Sequence, residues 1–419
     1  MSDKKTILVL ADDIRTPSGV GSQTRYFVES LVKTGRYRFI CLGGAIRHRD
    51  YTPVKLEELG EDVIIFPVDG YGNQDMVRAA IKQNRVDLVW FMTDPRFWSW
   101  LWAIDNEVRV HAPMVYHHVW DNKPYPMFNK SNYMSNDSIV CISKVTHDIV
   151  QNVAPDVDSI YLPHSVNGDV FKKLPKQVVK NFRKDRLPAS SENKMVFVWN
   201  NRNARRKQSG TLIFWFKEFL DKVGHDKAML LMHTDPQDQN GQDLNAILRE
   251  LDLVNGQVLF STQKMPMENI AMLYNMADCT INIADAEGFG LGTLESLSCG
   301  TPIIVNMTGG LQEQVTDGKN WFGIGIEPAS KAIIGSQAVP YIYEDRINKD
   351  DFVNALVKMY EMSEGEREKL GELGMKHVRK NYNFNDFCDK WVEIIDDIVE
   401  KHGSWETRKN YSPFLFEEV

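Results

Sequence analysis

Short unbroken apolar runs recur along this chain, separated by stretches whose apolar residues return every three or four positions. In the first part the runs are Thr6–Leu10, Phe39–Leu42, Val63–Phe66, Leu88–Phe91, Met114–Tyr116, Ile139–Ile142 and Ile160–Leu162. None alternates with polar residues. A strand that is apolar throughout is covered on both faces, so these runs predict parallel strands under helices. The stretch from about Ser22 to Lys33 predicts one such helix, with Phe27, Val28 and Leu31 facing inward.

Between Val170 and Asn193 the pattern lapses into Lys-, Pro- and Ser-containing sequence, which reads as a linker. The alternation then restarts. Strands are expected at Met195–Trp199, Ala228–Met232, Val258–Phe260, Cys279–Ile283 and Pro302–Val305. Helices are expected at Thr211–Val223, Gln242–Leu251, Glu268–Met276 and Thr293–Ser298. The series predicts an α/β chain of two doubly wound domains, residues 1–185 and 186–380. Residues 381–419 form a helix and tail. There Phe384, Phe387, Trp391, Ile394 and Ile398 make an amphipathic stripe that must pack on something, whereas the sequence after His402 has no period.

Length agrees with this division, since 419 residues exceed one ordinary core. Apolar residues make up 43% and charged residues 25%, the balance of a globular protein. No run approaches the roughly 18 apolar residues that span a bilayer, and Thr6–Ala11 is too short for a leader core. The expected location is therefore cytoplasmic, with no transmembrane segment. A net charge of −8 weighs against broad nucleic-acid binding. The five cysteines are scattered without a Cys-x-x-Cys pair, so neither a disulfide frame nor a zinc site is expected.

Candidate chemistry gathers where expected strands end. Glu287-Gly288-Phe289-Gly290-Leu291-Gly292-Thr293-Leu294-Glu295 joins a strand to a helix. Glycines there let the backbone approach an anion, and the free N–H groups of a helix start attract one. Glu295, in the helix, is placed to bond a ribose diol, and Glu287, before the loop, to face a sugar. The plainer alternative is a glycine turn with a first-turn charge. Trp199-Asn-Asn-Arg202-Asn-Ala-Arg205-Arg206-Lys207-Gln208 follows the first strand of the second series, and its four cations can offset a diphosphate. A solvated basic loop is the alternative there.

Two further segments are weaker. The turn Thr16-Pro-Ser-Gly19-Val-Gly21-Ser22 can take phosphate or acceptor, or simply connect two elements. Tyr116-His117-His118-Val-Trp120-Asp121-Asn122 offers a histidine able to donate to a sugar hydroxyl, an acceptor-side carboxylate in Asp121 and an aromatic platform at Trp120. A packed or surface histidine pair and a core tryptophan are the alternatives.

Glu, seven residues, Glu, beginning Glu287-Gly-Phe-Gly290, resembles the retaining glycosyltransferases of the GT-B fold, family 4. The chain departs in having Leu291 and Gly292 where many members have Pro. Cys299-Gly-Thr-Pro-Ile-Ile-Val305, Gly309-Gly310 and Asp317-Gly318 resemble the elements that follow, and Val140–Ser143 and Tyr161–Asn167 resemble earlier ones.

The resemblance implies two Rossmann-like domains facing across a cleft, with the C-terminal helix returning to the first. It implies transfer of a hexosyl or pentosyl group from a nucleotide-diphosphate sugar, with retention and without metal or cofactor. The resemblance also implies a front-face reaction in which the phosphate would take the acceptor proton. Arg202 and Lys207 would hold the diphosphate, with Arg206 a competing choice. His118, or its neighbour His117, would contact the sugar. Gly19 and Gly21 would face the donor, together with Glu287, Gly288, Phe289, Gly290, Leu291 and Glu295. The acceptor stays open between glycan, lipid, protein, small molecule and modified DNA base. A phosphorylase-like enzyme and a non-catalytic sugar-nucleotide binding protein are the other readings.

Overall fold

The structure is a computed structural model, and it describes residues 4–413. The seven apolar runs of the first part all become strands. These are β1 (Lys5–Asp12), β2 (Tyr37–Gly44), β3 (Val63–Pro67), β4 (Leu88–Met92), β5 (Met114–His118), β6 (Ser138–Cys141) and β7 (Asp158–Tyr161). They form one parallel sheet in the order β3-β2-β1-β4-β5-β6-β7. Its strands β4 and β5 are buried throughout and β1 is buried except at its two ends, as their lack of alternation requires.

The second series gives β8 (Met195–Asn200), β9 (Ala228–His233), β10 (Val258–Ser261), β11 (Cys279–Asn282), β12 (Ile303–Asn306) and β13 (Gly323–Ile326). This sheet is also parallel, in the order β10-β9-β8-β11-β12-β13. The strand β13 was not expected from sequence, because Gly323-Ile-Gly-Ile326 is too short and glycine-rich to read as an apolar run. A small two-stranded sheet follows, β14 (Ser330–Ile334) with β15 (Ile342–Arg346).

The chain groups into two compact units. One holds the residues up to Ser165, Gly335–Ile342 and the chain from Asn385 on; the other holds Val166–Ile334 and Tyr343–Phe384. The second unit thus begins some way before the expected boundary at residue 186. The reason lies in the stretch read as a linker, which contains the helix Lys176–Arg186. That helix buries no residue, so it shows no apolar stripe, and it is tied to the second unit by Arg183. Arg183 donates to the Met276 carbonyl and to Asp278 Oδ2 at 2.8 Å.

The stripe on the helix Phe384–His402 finds its partner in the first unit. Trp391 is fully buried, edge-on to Phe27 at 4.8 Å between ring centres, and Phe27 stacks on Trp90 of β4 at 4.3 Å. Beyond the helix Arg408 donates to Asp137 Oδ1 at 2.6 Å and to the Arg109 carbonyl at 2.7 Å, so hydrogen bonds hold a segment without apolar period. No helix among the described residues is long and apolar enough to cross a membrane.

Candidate active site

The second sheet reverses direction of winding between β8 and β11: the chain steps outward to β9 and β10, then returns to the other side of β8. In open α/β sheets the carboxyl ends of strands at such a point leave a crevice for ligands. Both strongest candidate segments start there. The basic loop leaves β8, and the glycine loop follows β11.

The glycine loop is shaped by contacts that tolerate little else. Gly290 has φ +93°, and a Cβ on it would lie 2.5 Å from Leu311 Cδ2. The helix Leu291–Ser298 starts directly after it. Gln314 donates to the Phe289 carbonyl at 2.7 Å, and the Gly310 N–H donates to the Glu287 carbonyl at 3.0 Å. Phe289 is buried against Tyr382. The loop is therefore held from behind.

The basic loop folds into a short turn, Arg205–Lys207, ended by Gln208 in a left-handed conformation (φ +59°). This brings two of the expected residues together: the Lys207 ammonium donates to Glu287 Oε2, with the two side chains only 10% and 12% exposed. Asn282 also donates to that oxygen, at 3.2 Å, and Arg206 donates to the Ala286 carbonyl at 2.8 Å. Burial alone would raise the Glu287 carboxyl. The Lys207 and Arg206 charges and the two hydrogen bonds outweigh it and hold Glu287 below the ordinary range.

Arg202 is placed elsewhere. Its guanidinium forks onto Asp238, at 2.6 and 3.2 Å, and its side chain is 65% exposed. Of the two residues expected at a diphosphate, Lys207 stands beside Glu287 and Arg202 is engaged by the loop after β9; the competing Arg206 also lies beside Glu287.

Glu295 lies one helical turn beyond the glycines. It accepts from the Tyr274 hydroxyl at 3.0 Å, which in turn accepts from Asn200 at 2.7 Å. Burial pushes its carboxyl up to about 7, and the Tyr274 bond only partly offsets that. Tyr274 and Asn200 were not singled out from sequence. Tyr274 belongs to the inward face of the helix Met267–Asn275 and looks like an ordinary core aromatic until the fold sets it against Glu295.

The candidates in the first unit are less open. The helix expected from Ser22 begins at Gly19, and Ser18 caps it by accepting from the Gly21 N–H at 2.9 Å. Gly19 is exposed at this start. Gly21 is buried, and a Cβ on it would lie 2.5 Å from the Thr16 carbonyl oxygen, so close packing already accounts for this glycine. His118 is fully buried, its Nε2 at 2.7 Å from the Tyr133 hydroxyl, and burial pushes its pKa down to about 3. His117 points to the other side of β5, among Trp90, Trp391 and His164. Both histidines are core residues in this structure. Trp120, expected as a platform, is also buried, donating to the Asn122 carbonyl at 3.0 Å and edge-on to Phe128. Asp121 is half-buried.

The chain has one Asp-x-Asp, the motif that often holds a metal at a sugar-nucleotide site, in Asp156-Val157-Asp158. It opens β7 at the amino end of that strand, and Asp158 pairs with Lys401 at 3.0 Å. That is the opposite end from a strand-end crevice.

Residues 180–359 match the model of the family described as glycosyl transferases group 1. A curated relative, N-acetyl-alpha-D-glucosaminyl L-malate synthase of Bacillus anthracis, is 23% identical over 222 residues, 53% of this chain and 53% of that protein. The chain spans about half, or less, of the length of the first curated relatives it matches. Two solved structures are similar over nearly the whole chain. The sucrose-phosphate synthase of Thermosynechococcus elongatus superposes with a TM-score of 0.75 at 16% identity, covering 95% of this chain and 100% of that one. The HepE protein of Anabaena, in complex with UDP and glucose, gives 0.69 at 14% identity, covering 94% and 100%. Two Rossmann-like parallel sheets and these structural matches give the chain the GT-B fold, and its residues 180–359 are similar to the glycosyl transferases group 1.

Proposed function

We propose that the chain transfers a hexosyl or pentosyl group from a nucleotide-diphosphate sugar to an acceptor hydroxyl, with retention of configuration and without a metal. The observation that carries this reading is the convergence of Lys207, Arg206 and the glycine loop on Glu287 at the β8/β11 switch point. A sugar diphosphate ester breaks with its charge on the phosphate. Cations and free N–H groups that are already fixed in place stabilise that charge as it develops. Lys207 and Arg206 supply the cations, and the backbone around Gly290 and Leu291 the N–H groups. Glu295 receives the ribose hydroxyls. Arg202 joins the diphosphate by exchanging Asp238 for a phosphate oxygen. The HepE complex with UDP and glucose makes uridine the first nucleotide to try.

The test is a thermal-shift screen with UDP-, GDP-, ADP- and TDP-sugars, in the presence of EDTA, followed by nucleotide release from the donor that binds. A bound donor raises the unfolding temperature by mass action. Nucleotide release that persists in EDTA and falls at least tenfold in Lys207→Met is the expected result. No shift with any donor, or a shift without release or transfer, refutes the proposal.

A further inference from the structure

The turn that carries Arg206 and Lys207 is gripped by two buried carboxylates that the donor reading leaves without a task. Arg205, at the start of the turn, forks onto Glu344 of β15, with Nη1 donating to Oε2 at 3.1 Å and Nη2 to Oε1. Arg205 is 61% exposed, but Glu344 is only 2% exposed. At the other end, Gln208 donates to Asp285 Oδ2 at 2.6 Å, and the Asp285 N–H donates to the Arg206 carbonyl at 2.8 Å. Arg346 ties the two acids together, donating to Glu344 Oε2 at 2.9 Å and standing 3.9 Å from Asp285 Oδ2.

The strand β15 is itself pinned to the sheet. The Asp345 N–H donates to the Asp285 carbonyl at 2.9 Å, Asn306 donates to the Asp345 carbonyl at 2.7 Å, and Thr308 donates to Asp345 Oδ2 at 2.8 Å. Asp285 precedes Glu287 by two residues, and Arg205 precedes Lys207 by two. The same network therefore holds both halves of the Lys207–Glu287 pair. Burying ionic groups gives little net stability over apolar packing, so their value here is geometric. Fixing charges to a fraction of an ångström is what leaving-group stabilisation demands.

We infer that Glu344 and Asp285 are positioning residues, through which β15 sets Lys207 and Arg206 against Glu287. This rests on the donor-site reading above. Glu344→Gln removes the charge and one acceptor of the fork, Arg205→Ala removes the fork altogether, and Arg205 is exposed enough for its variant to fold. Each should lower kcat about tenfold with donor KM changed less than threefold. The double variant should be no worse than either single one, and Glu344→Asp should recover part of the loss. Unchanged kcat per folded molecule, or losses that multiply in the double variant, overturns the inference. A second readout does not depend on turnover. In lysine labelled with 13C at Cε, the Lys207 signal, assigned by its loss in Lys207→Arg, should move in both single variants; a stationary signal overturns the positioning role. If the wild-type protein neither binds nor turns over a nucleotide sugar, the donor reading fails, and the Lys207 signal alone decides the positioning.

Discussion

Replacing Lys207 by Met removes one member of the buried Lys207–Glu287 pair without changing side-chain bulk much. The Glu287 carboxylate then keeps its Asn282 bond and the neighbouring Arg206, but loses the charge that contributes most to holding it ionised. Breaking a buried ion pair from one side costs about 3–5 kcal/mol. With Asn282 and Arg206 still present the lower end applies, about 3 kcal/mol. In a unit of this size that corresponds to a fall in Tm of roughly 6–12 °C. Adding Glu287→Gln removes the stranded charge, so the double variant should regain about 2 kcal/mol over the sum of the singles. Urea unfolding followed by tryptophan fluorescence measures the cycle, because Trp199 lies in the core of the second unit. The pH dependence has a definite sign. In the wild-type protein the Glu287 pKa lies below its unfolded value of 4.5, so its contribution is complete above that value and is lost as pH falls through the folded one. In Lys207→Met the carboxyl shifts upward, and acidification towards pH 5 should restore part of the lost stability. A cycle additive to within about 0.5 kcal/mol would show that the pair is not coupled and refute the reasoning.

Glu295 should govern a pH dependence of donor binding. With its folded pKa near 7 against 4.5 unfolded, the folded protein keeps a proton that the unfolded chain loses, so stability declines as pH rises between those values. The ionised form accepts ribose hydroxyls best, so donor KM should fall from pH 6 to 8; Glu295→Gln should abolish that trend, and a trend surviving in the variant contradicts the assignment. His118→Gln should act on stability rather than turnover. A histidine kept neutral by burial down to about pH 3 costs stability as pH drops below the unfolded value of 6.5. The variant should therefore lose about 2 kcal/mol less than wild type between pH 7 and 5, measured by urea unfolding. A hundredfold loss of kcat would instead show that His118 reaches the sugar. Gly290→Ala should cost about 1–3 kcal/mol, since it combines a left-handed backbone with a clash on Leu311. It should also weaken donor binding in the thermal-shift screen; normal stability and binding would show that the loop adapts.

The strands were legible because burial on both faces leaves an unbroken apolar run, and the glycine loop because its backbone geometry restricts residue choice. What stayed hidden depends on partners distant in sequence. Nothing about Arg202 shows that Asp238 will engage it, and nothing in Tyr116–Asn122 says which face of β5 is core. The histidines look like ligands in a list of residue types, yet in place they lie beneath Tyr133 and Trp391. The helix Lys176–Arg186 and the strands β14 and β15 escaped for another reason. The helix and β14 are largely exposed, β15 buries only the acid Glu344, and all three are held by hydrogen bonds and ion pairs, which leave no periodic trace. Glu344 is the costliest omission, an acid in an unpatterned stretch that becomes a buried partner of Arg205.

The return of the helix Phe384–His402 to the first unit has a consequence for synthesis. The ribosome delivers Phe27 and Trp90 early, but the tryptophan that covers them, Trp391, arrives 364 and 301 residues later, an extreme separation for a core contact. During that interval the early-made sheet carries an uncovered aromatic face, whereas the later-made unit closes as soon as Phe384 has emerged. Domains usually mature in the order they are translated. Here the order is inverted, so the half of the chain made first is the last to be completed, and nascent chains halted before residue 385 should be protease-sensitive in their oldest part.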